Sequence, residues 1–389
     1  MNKTDFSKMF VEFFESEKNA GMLLIVSTVF SLLAANLFIG QSYIDFWQKY
    51  LDLSFGGLEL KYSLQHWIND GLATIFFLLI GLEIERELYA GELSSFQKAS
   101  LPVVAAIGGM AFPALVHLFF NYSTASQAGI GVPMATDIAF ALGVLSLIGG
   151  AVPLSLKVFL TAFAIIDDLG AILMIAIFYS KGLSAAYLVM AAAVFAILIF
   201  FNRLKVRALS PYIAMGMIMW YFMLKSGIHA TITGVLLAFA IPFADDSGKC
   251  PSLRLQHYLH KPVAFLILPI FAAANTAIGL DGQTFSTLLS ANSIGIILGL
   301  FLGKPAGVLA FSFAFVSLKL CSLPDDLAWK HILGAGLLGG IGFTMSVFIA
   351  NLAFADPSLI QSSILAVIAA SLLSALTGLI FFKYIVSKI

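Results

Sequence analysis

The sequence predicts an all-α polytopic membrane protein, and three observations carry that reading. Of its 389 residues, 60% are hydrophobic and only 11% charged, with a mean hydropathy of +0.99. A soluble domain carries about 25% charged residues, so lipid as the solvent accounts for both numbers. Apolar runs of about 16 to 26 residues, enough to cross a bilayer, recur along the whole chain. The breaks between them are short and polar, and no soluble domain fits between any two. Residues 1–389 therefore read as a single integral membrane domain.

The first run, Ala20–Ile39, follows a polar stretch of mixed charge. No small-residue cleavage site comes after it, so it reads as a retained helix and not as a signal peptide. Gln65–Gly81, Leu101–Phe120, Gly129–Gly150, Leu154–Tyr179 and Ala185–Phe201 follow. The second half supplies Tyr212–Leu224, Ile228–Phe243, Pro262–Ala277, Ser293–Phe315, Ile332–Leu352 and Leu359–Val386. That makes about 12 spans, with Tyr212–Leu224 and Ile228–Phe243 the weakest because each is short. The 32 Gly and 36 Phe suit such helices, Gly by allowing close packing and Phe by facing lipid. One connection stands out, Leu51–Tyr62, reading LDLSFGGLELKY around the Gly56-Gly57 pair. It reads either as an irregular loop or as a short periplasmic β-hairpin, since Gly-Gly suits a tight turn. A hairpin is marginal alone, so this one would be able to pair with a copy of itself in a homodimer.

An even number of spans puts both termini on one side of the membrane. With the N-terminus inside, cytoplasmic positions collect Lys3, Lys8, Lys18, Arg86, Lys98, Lys157, Arg203, Lys205, Arg207, Lys249, Arg254, Lys261, Lys319, Lys330, Lys383 and Lys388. The outer side receives only Lys49, Lys61, Lys181 and Lys225, a positive-inside bias of roughly four to one. Both cysteines, Cys250 and Cys321, then fall on the reducing side, where thiols stay free. A formal net charge of +0 offers no basic face to nucleic acid.

Four charges lie where lipid should forbid them. Asp137 is in GVPMATDIAFALG, Asp167 and Asp168 are in AFAIIDDLGAI, and Lys304 is in GLFLGKPAGV, each near the middle of its span. A charge at that depth costs about 2.5–3.5 kcal/mol even on the lenient insertion scale. A structural ion pair explains one Asp with one Lys, but three carboxylates against one ammonium leave excess negative charge. A cation or proton pathway explains the excess better. Pro133 and Thr136 interrupt the span holding Asp137, and Gly339, Gly340, Gly342 and Thr344 interrupt another in GGIGFTMSVFIAN. Interrupted helices in corresponding halves point to crossed discontinuous helices at an inverted-repeat interface. There Asp137 would offset the positive half-helix ends and Lys304 the negative ones. Asp167 and Asp168 diverge by about 100° on a helix, so one is expected to face an ion while the other faces the crossing or adds a second oxygen. Hard oxygens without cysteine or histidine suit an alkali cation or a proton.

Such a site makes an exchanger. Desolvation favours the protonated acid over the carboxylate, whereas a sodium ion needs the oxygens deprotonated, so loading one expels the other. If the site opens alternately to each side only when occupied, competition becomes exchange. A buried lysine such as Lys304 is able to release a proton as well.

The segments GLEIEREL, ATDIAF, IIDDLGA, SGIHATITG and LGKPAG, in that order and over nearly the whole chain, resemble the NhaA family of sodium/proton antiporters. The resemblance implies about 12 helices with inverted repeats and crossed, broken helices in a bacterial inner membrane. It implies electrogenic exchange, with more protons entering than sodium or lithium ions leaving, and no cofactor beyond the transported Na+ or Li+ and H+. Asp167 and Asp168 match the family's ion-binding carboxylates, Thr136 and Asp137 its crossing, and Lys304 its membrane lysine. His229 matches a histidine tied to pH response. Glu83, Arg86 and Glu87 match a charged cluster at the cytoplasmic mouth, with His257 and His260 at the start of another helix there; a solvated helix end is the plainer reading of the three. Gln256 stands where the family carries a glutamate, and Glu85 where a lysine is familiar, so the resemblance implies a shifted or weak pH response.

Other classes fit less well. An intramembrane aspartyl protease needs carboxylates on separate helices with a GxGD-type motif, which is missing, and a retinal pump has about seven spans. A cation channel builds acidic rings by oligomeric symmetry. The nearest competitor is a sodium-coupled carrier of an organic anion with a similar fold, whose anion Lys304 would attract and the Asp167-Asp168 pair would repel. A carrier and not an enzyme is therefore expected.

Overall fold

A computed structural model describes residues 19–56, 58–148, 152–180, 182–243, 250–280 and 286–386. Lys3, Lys8, Lys18, Gly57, Lys181, Lys249 and Lys388, used above for turn and orientation, lie outside the described residues. The chain is a polytopic helical membrane protein. Its long helices are α1 Asn19–Leu37, α3 Leu64–Ala90, α4 Phe96–Asn121, α6 Leu154–Phe178, α7 Ala185–Arg203, α10 Pro251–Asn275, α11 Ala291–Ser317 and α14 Pro357–Tyr384. These are the helices long and apolar enough to cross a membrane among the described residues. Shorter ones are α2 Gln41–Gln48, α5 Ile138–Ser146, α8 Leu209–Ser226, α9 Ile232–Ala240, α12 Trp329–Gly339 and α13 Phe343–Ala353.

The difference from the sequence expectation falls on four segments. Gly129–Gly150 holds a tight turn at Ala125–Gly131, irregular chain through Pro133, and then α5. Ile332–Leu352 is split into α12 and α13, bent by 48° at the glycines between them. Tyr212–Leu224 and Ile228–Phe243 become α8 and α9, of 18 and 9 residues. The hairpin forms. Strand β1 Tyr50–Asp52 pairs antiparallel with β2 Lys61–Ser63 in the register Tyr50↔Ser63, Leu51↔Tyr62 and Asp52↔Lys61, and a bridge joins Phe55 to Leu58.

The described chain falls into two compact units. One takes the chain up to Val26, Glu92–Ala171 and the part from Leu280 onward. Its core gathers Leu142, Leu156, Leu160, Phe163, Val308, Ile332 and Leu338. Here α4 and α11 touch backbone to backbone, because a Cβ on Gly307 would stand 2.1 Å from the Gly108 carbonyl oxygen. Gly307→Ala is therefore expected to force the pair apart and to lower the melting temperature in detergent by overpacking of about 1–3 kcal/mol; an unchanged melting curve would contradict the contact.

The other unit takes Ser27–Gly91 and Ile172–Gly279. Its core packs Leu82, Leu198, Tyr212, Met219, Leu237 and Ala238, and the Tyr212 hydroxyl donates to the Val206 carbonyl at 3.1 Å. Cys250 in this unit and Cys321 in the first are free thiols, and burial pushes both thiols above their usual range.

Candidate functional site

The two interruptions in the first unit meet. Groups of the two breaks pair with each other across the interruption, as lipid demands of backbone polar groups. The Asp137 N–H donates to the Ile341 carbonyl at 2.7 Å, and the Thr136 hydroxyl donates to the Gly339 carbonyl at 2.8 Å. Asp137 caps α5 by accepting from the Phe140 N–H at 2.9 Å. Its other oxygen accepts from the Thr344 N–H at 3.1 Å and the Thr344 hydroxyl at 2.5 Å, at the start of α13. One carboxylate thus serves the N-terminal ends of two half-helices, where the orphan N–H groups and the positive dipole end lie.

Lys304 does the opposite work. The helix α11 makes a wide turn over Gly299–Gly303, with the Lys304 N–H reaching back to the Gly299 carbonyl. The ammonium donates to the Met134 carbonyl, just before the first break, and pairs with Asp167 Oδ2 at 2.5 Å. Lys304 and Asp167 are both 0% exposed, and Asp137 and Asp168 are 2% exposed. Asp167 also lies beside Thr136, and Asp168 is within electrostatic reach of Lys304. Asp167 and Asp168 therefore both act on the one ammonium inside the unit, while Asp137 is held at the half-helix ends by Phe140 and Thr344. Breaking a buried pair by removing one partner is costly because it strands a charge.

Thr344→Val keeps the shape of the side chain and deletes one hydrogen bond to a buried carboxylate. Such bonds contribute about 1.5–3 kcal/mol, so the expected result is a melting temperature several degrees lower, read by fluorescence-detected unfolding in detergent. No shift would mean that the two backbone donors alone hold Asp137.

Of the sequence-selected residues, the structure brings Thr136, Asp137, Asp167, Asp168, Lys304 and Thr344 together in the first unit. The remainder lie in the second unit. There Arg86 pairs with Glu87 at 2.9 Å, Gln256 hydrogen-bonds Glu83, and His260 neighbours Arg86 and His257. Glu85 is buried, accepting from the Ser252 hydroxyl at 2.5 Å. His229 stands apart from this cluster, its Nε2 3.1 Å from the Tyr179 carbonyl, with Asp70 nearby.

Two participants escaped the sequence reading. The Met134 carbonyl carries no side-chain signal, since any residue supplies it. Phe163 lies one turn before Asp167, and its ring centroid is 5.8 Å from the Lys304 ammonium; its place four residues upstream was the available clue.

The family described as Na+/H+ antiporter 1 matches residues 11–382. The chain is 56% identical over 377 residues to "Na(+)/H(+) antiporter NhaA" of Cytophaga hutchinsonii, covering 97% of this chain and 95% of that protein. It is 56% identical over 381 residues to "Na(+)/H(+) antiporter NhaA 1" of Flavobacterium johnsoniae, covering 98% of each. It is 55% identical over 386 residues to "Na(+)/H(+) antiporter NhaA" of Dechloromonas aromatica, covering 98% of this chain and 97% of that protein. A match over nearly the full length on both sides leaves no large segment unaccounted for, and the chain belongs to the Na+/H+ antiporter 1 family.

Proposed function

We propose that the chain is an electrogenic antiporter that extrudes Na+ or Li+ in exchange for protons, by alternating access at the Asp167–Asp168 site. The observation that carries this is the buried carboxylate pair beside Lys304, next to two interrupted helices. The names of the relatives support the choice of ions. Asp167 and Asp168 hold the cation as the transported substrate, or protons in its place, because the same oxygens cannot hold both. Sodium binds with both carboxylates ionised, taking Asp167 from Lys304; one proton on each carboxylate replaces it on the return, and release of those protons lets the Lys304 ammonium reclaim Asp167. Thr136, Asp137, Lys304 and Thr344 compensate the half-helix ends, so the break keeps its shape while its occupant changes.

Glu83, Arg86, Glu87, His229, His257 and His260 tune this cycle to pH, with Gln256 and Glu85 shifting the response. The whole chain works as one transporter domain in a bacterial inner membrane, both termini cytoplasmic, serving sodium and lithium tolerance and pH homeostasis. The Tyr50–Ser63 hairpin supplies an exposed strand edge through which two copies pair.

The test is direct. Proteoliposomes loaded with a pH-sensitive dye receive Na+, Li+ or K+ across several pH values under an imposed proton gradient. Proton movement driven by Na+ and Li+ but not K+, and faster when a membrane potential is applied in the favourable sense, is expected. Absence of Na+-driven proton movement at every pH would overturn the reading, and uptake of an organic anion with sodium would replace it.

A further inference from the structure

We propose that Phe163 is a positioning residue of the ion site, whose aromatic face holds the Lys304 ammonium while Asp167 is occupied by the transported cation; this rests on the exchange mechanism proposed above. The problem it solves is one of charge. When a sodium ion takes the Asp167 carboxylate, Lys304 loses its 2.5 Å contact to Asp167 yet remains 0% exposed to water. The Met134 carbonyl stays as one partner, and an ammonium has three donors to satisfy.

Phe163 is built into place to supply the rest. It sits four residues before Asp167 on α6, so both side chains project from one face of the helix. Its ring is 0% exposed and already 5.8 Å from the ammonium, within the range at which the negative face of an aromatic ring attracts a cation. The ring lies between two glycines. A Cβ on Gly109 would stand 3.1 Å from its Cε2, and a Cβ on Gly339 would stand 2.9 Å from its Cε1. The Gly339 carbonyl is the one that accepts from Thr136, so the ring is wedged against the break itself. Behind it, Phe159 stacks at 6.3 Å and 12°. The same Gly339 Cβ would lie 3.7 Å from Lys304 Cε, so the lysine stem and the ring share one slot and the ammonium has little freedom to go elsewhere.

In the paired state Lys304 has both the carboxylate and the ring. In the cation-bound state it has the ring and a carbonyl. Weakening the ring therefore penalises the cation-bound state more, and the apparent affinity for Na+ falls while the chemistry at Asp167 and Asp168 is untouched.

Ring-fluorinated phenylalanines, introduced at position 163 in the full chain, withdraw charge from the π face with almost no change in shape. The expected result is a stepwise rise in the apparent KM for Na+ with fluorine number, reaching about threefold to tenfold, with kcat nearly constant. Na+-dependent thermal stabilisation of the detergent-solubilised protein should need correspondingly more Na+. Phe163→Leu should show the same rise, together with a lower melting temperature from lost packing; Phe163→Tyr keeps the ring and should restore affinity. A fluorine series with unchanged KM and unchanged Na+ titration would make the ring a packing element only and overturn the proposal. A wild-type protein that moves no protons in response to Na+ would instead overturn the antiport reading on which it rests, so the two failures are distinguishable.

Discussion

Asp168→Asn is expected to abolish Na+-dependent proton movement in proteoliposomes while leaving the protein folded. The amide nearly matches the carboxylate in shape, so the packing of a group that is 2% exposed is retained. What disappears is a negative charge and a proton-binding oxygen at once. A cation between two carboxylates then faces only one, and that one is already claimed by Lys304 at 2.5 Å. Changes to groups that merely orient a metal ligand lower affinity by about 10–100-fold. Loss of a ligand itself should do at least as much, a fall of roughly a hundredfold or more in transport at subsaturating Na+. Retained sodium-driven exchange in a folded Asp168→Asn protein would place the ion elsewhere.

The second large effect is on stability, and it separates a stranded charge from a lost interaction. Lys304→Met leaves Asp167 inside the first unit without its ammonium; Asp167→Asn leaves Lys304 without its carboxylate. Removing one member of a buried pair costs about 3–5 kcal/mol, so each single variant should melt well below the parent in detergent. The double variant, Asp167→Asn with Lys304→Met, removes both members of the pair, leaves the net buried charge as in the parent and should recover most of that loss, because the favourable term of a buried pair roughly offsets its desolvation. Neither variant should transport. Additive losses in the double variant would show that the two side chains are not energetically coupled, against the contact seen here.

Much of this was legible in the sequence because the reasons are local. Asp137, Asp167, Asp168 and Lys304 stand out in apolar runs by composition alone, and lipid leaves few explanations for a charge. Pro133 and the glycines from 339 to 342 mark where helices stop, since each restricts or frees the backbone at its own position. The Gly56-Gly57 pair foretold a hairpin for the same reason, and the strands Tyr50–Asp52 and Lys61–Ser63 pair antiparallel. The span count was less legible. Breaks inside Gly129–Gly150 and Ile332–Leu352 were visible, but the sequence does not say how far an interrupted run departs from a helix, and α12 bends from α13 by 48°.

What the sequence determined by itself is the solvent, the family and the list of charged residues set inside apolar runs, because composition and motif order suffice for each. What only the tertiary structure decided is who faces whom. That Lys304 chooses Asp167 and the Met134 carbonyl, that Asp137 caps two helices 207 residues apart in its contact to Thr344, and that Phe163 fills the slot between Gly109 and Gly339 all depend on long-range packing. Adjacent Asp167 and Asp168 are equivalent in sequence; the fold separates their contacts, because the turn of the helix brings Asp167 to 2.5 Å from the lysine.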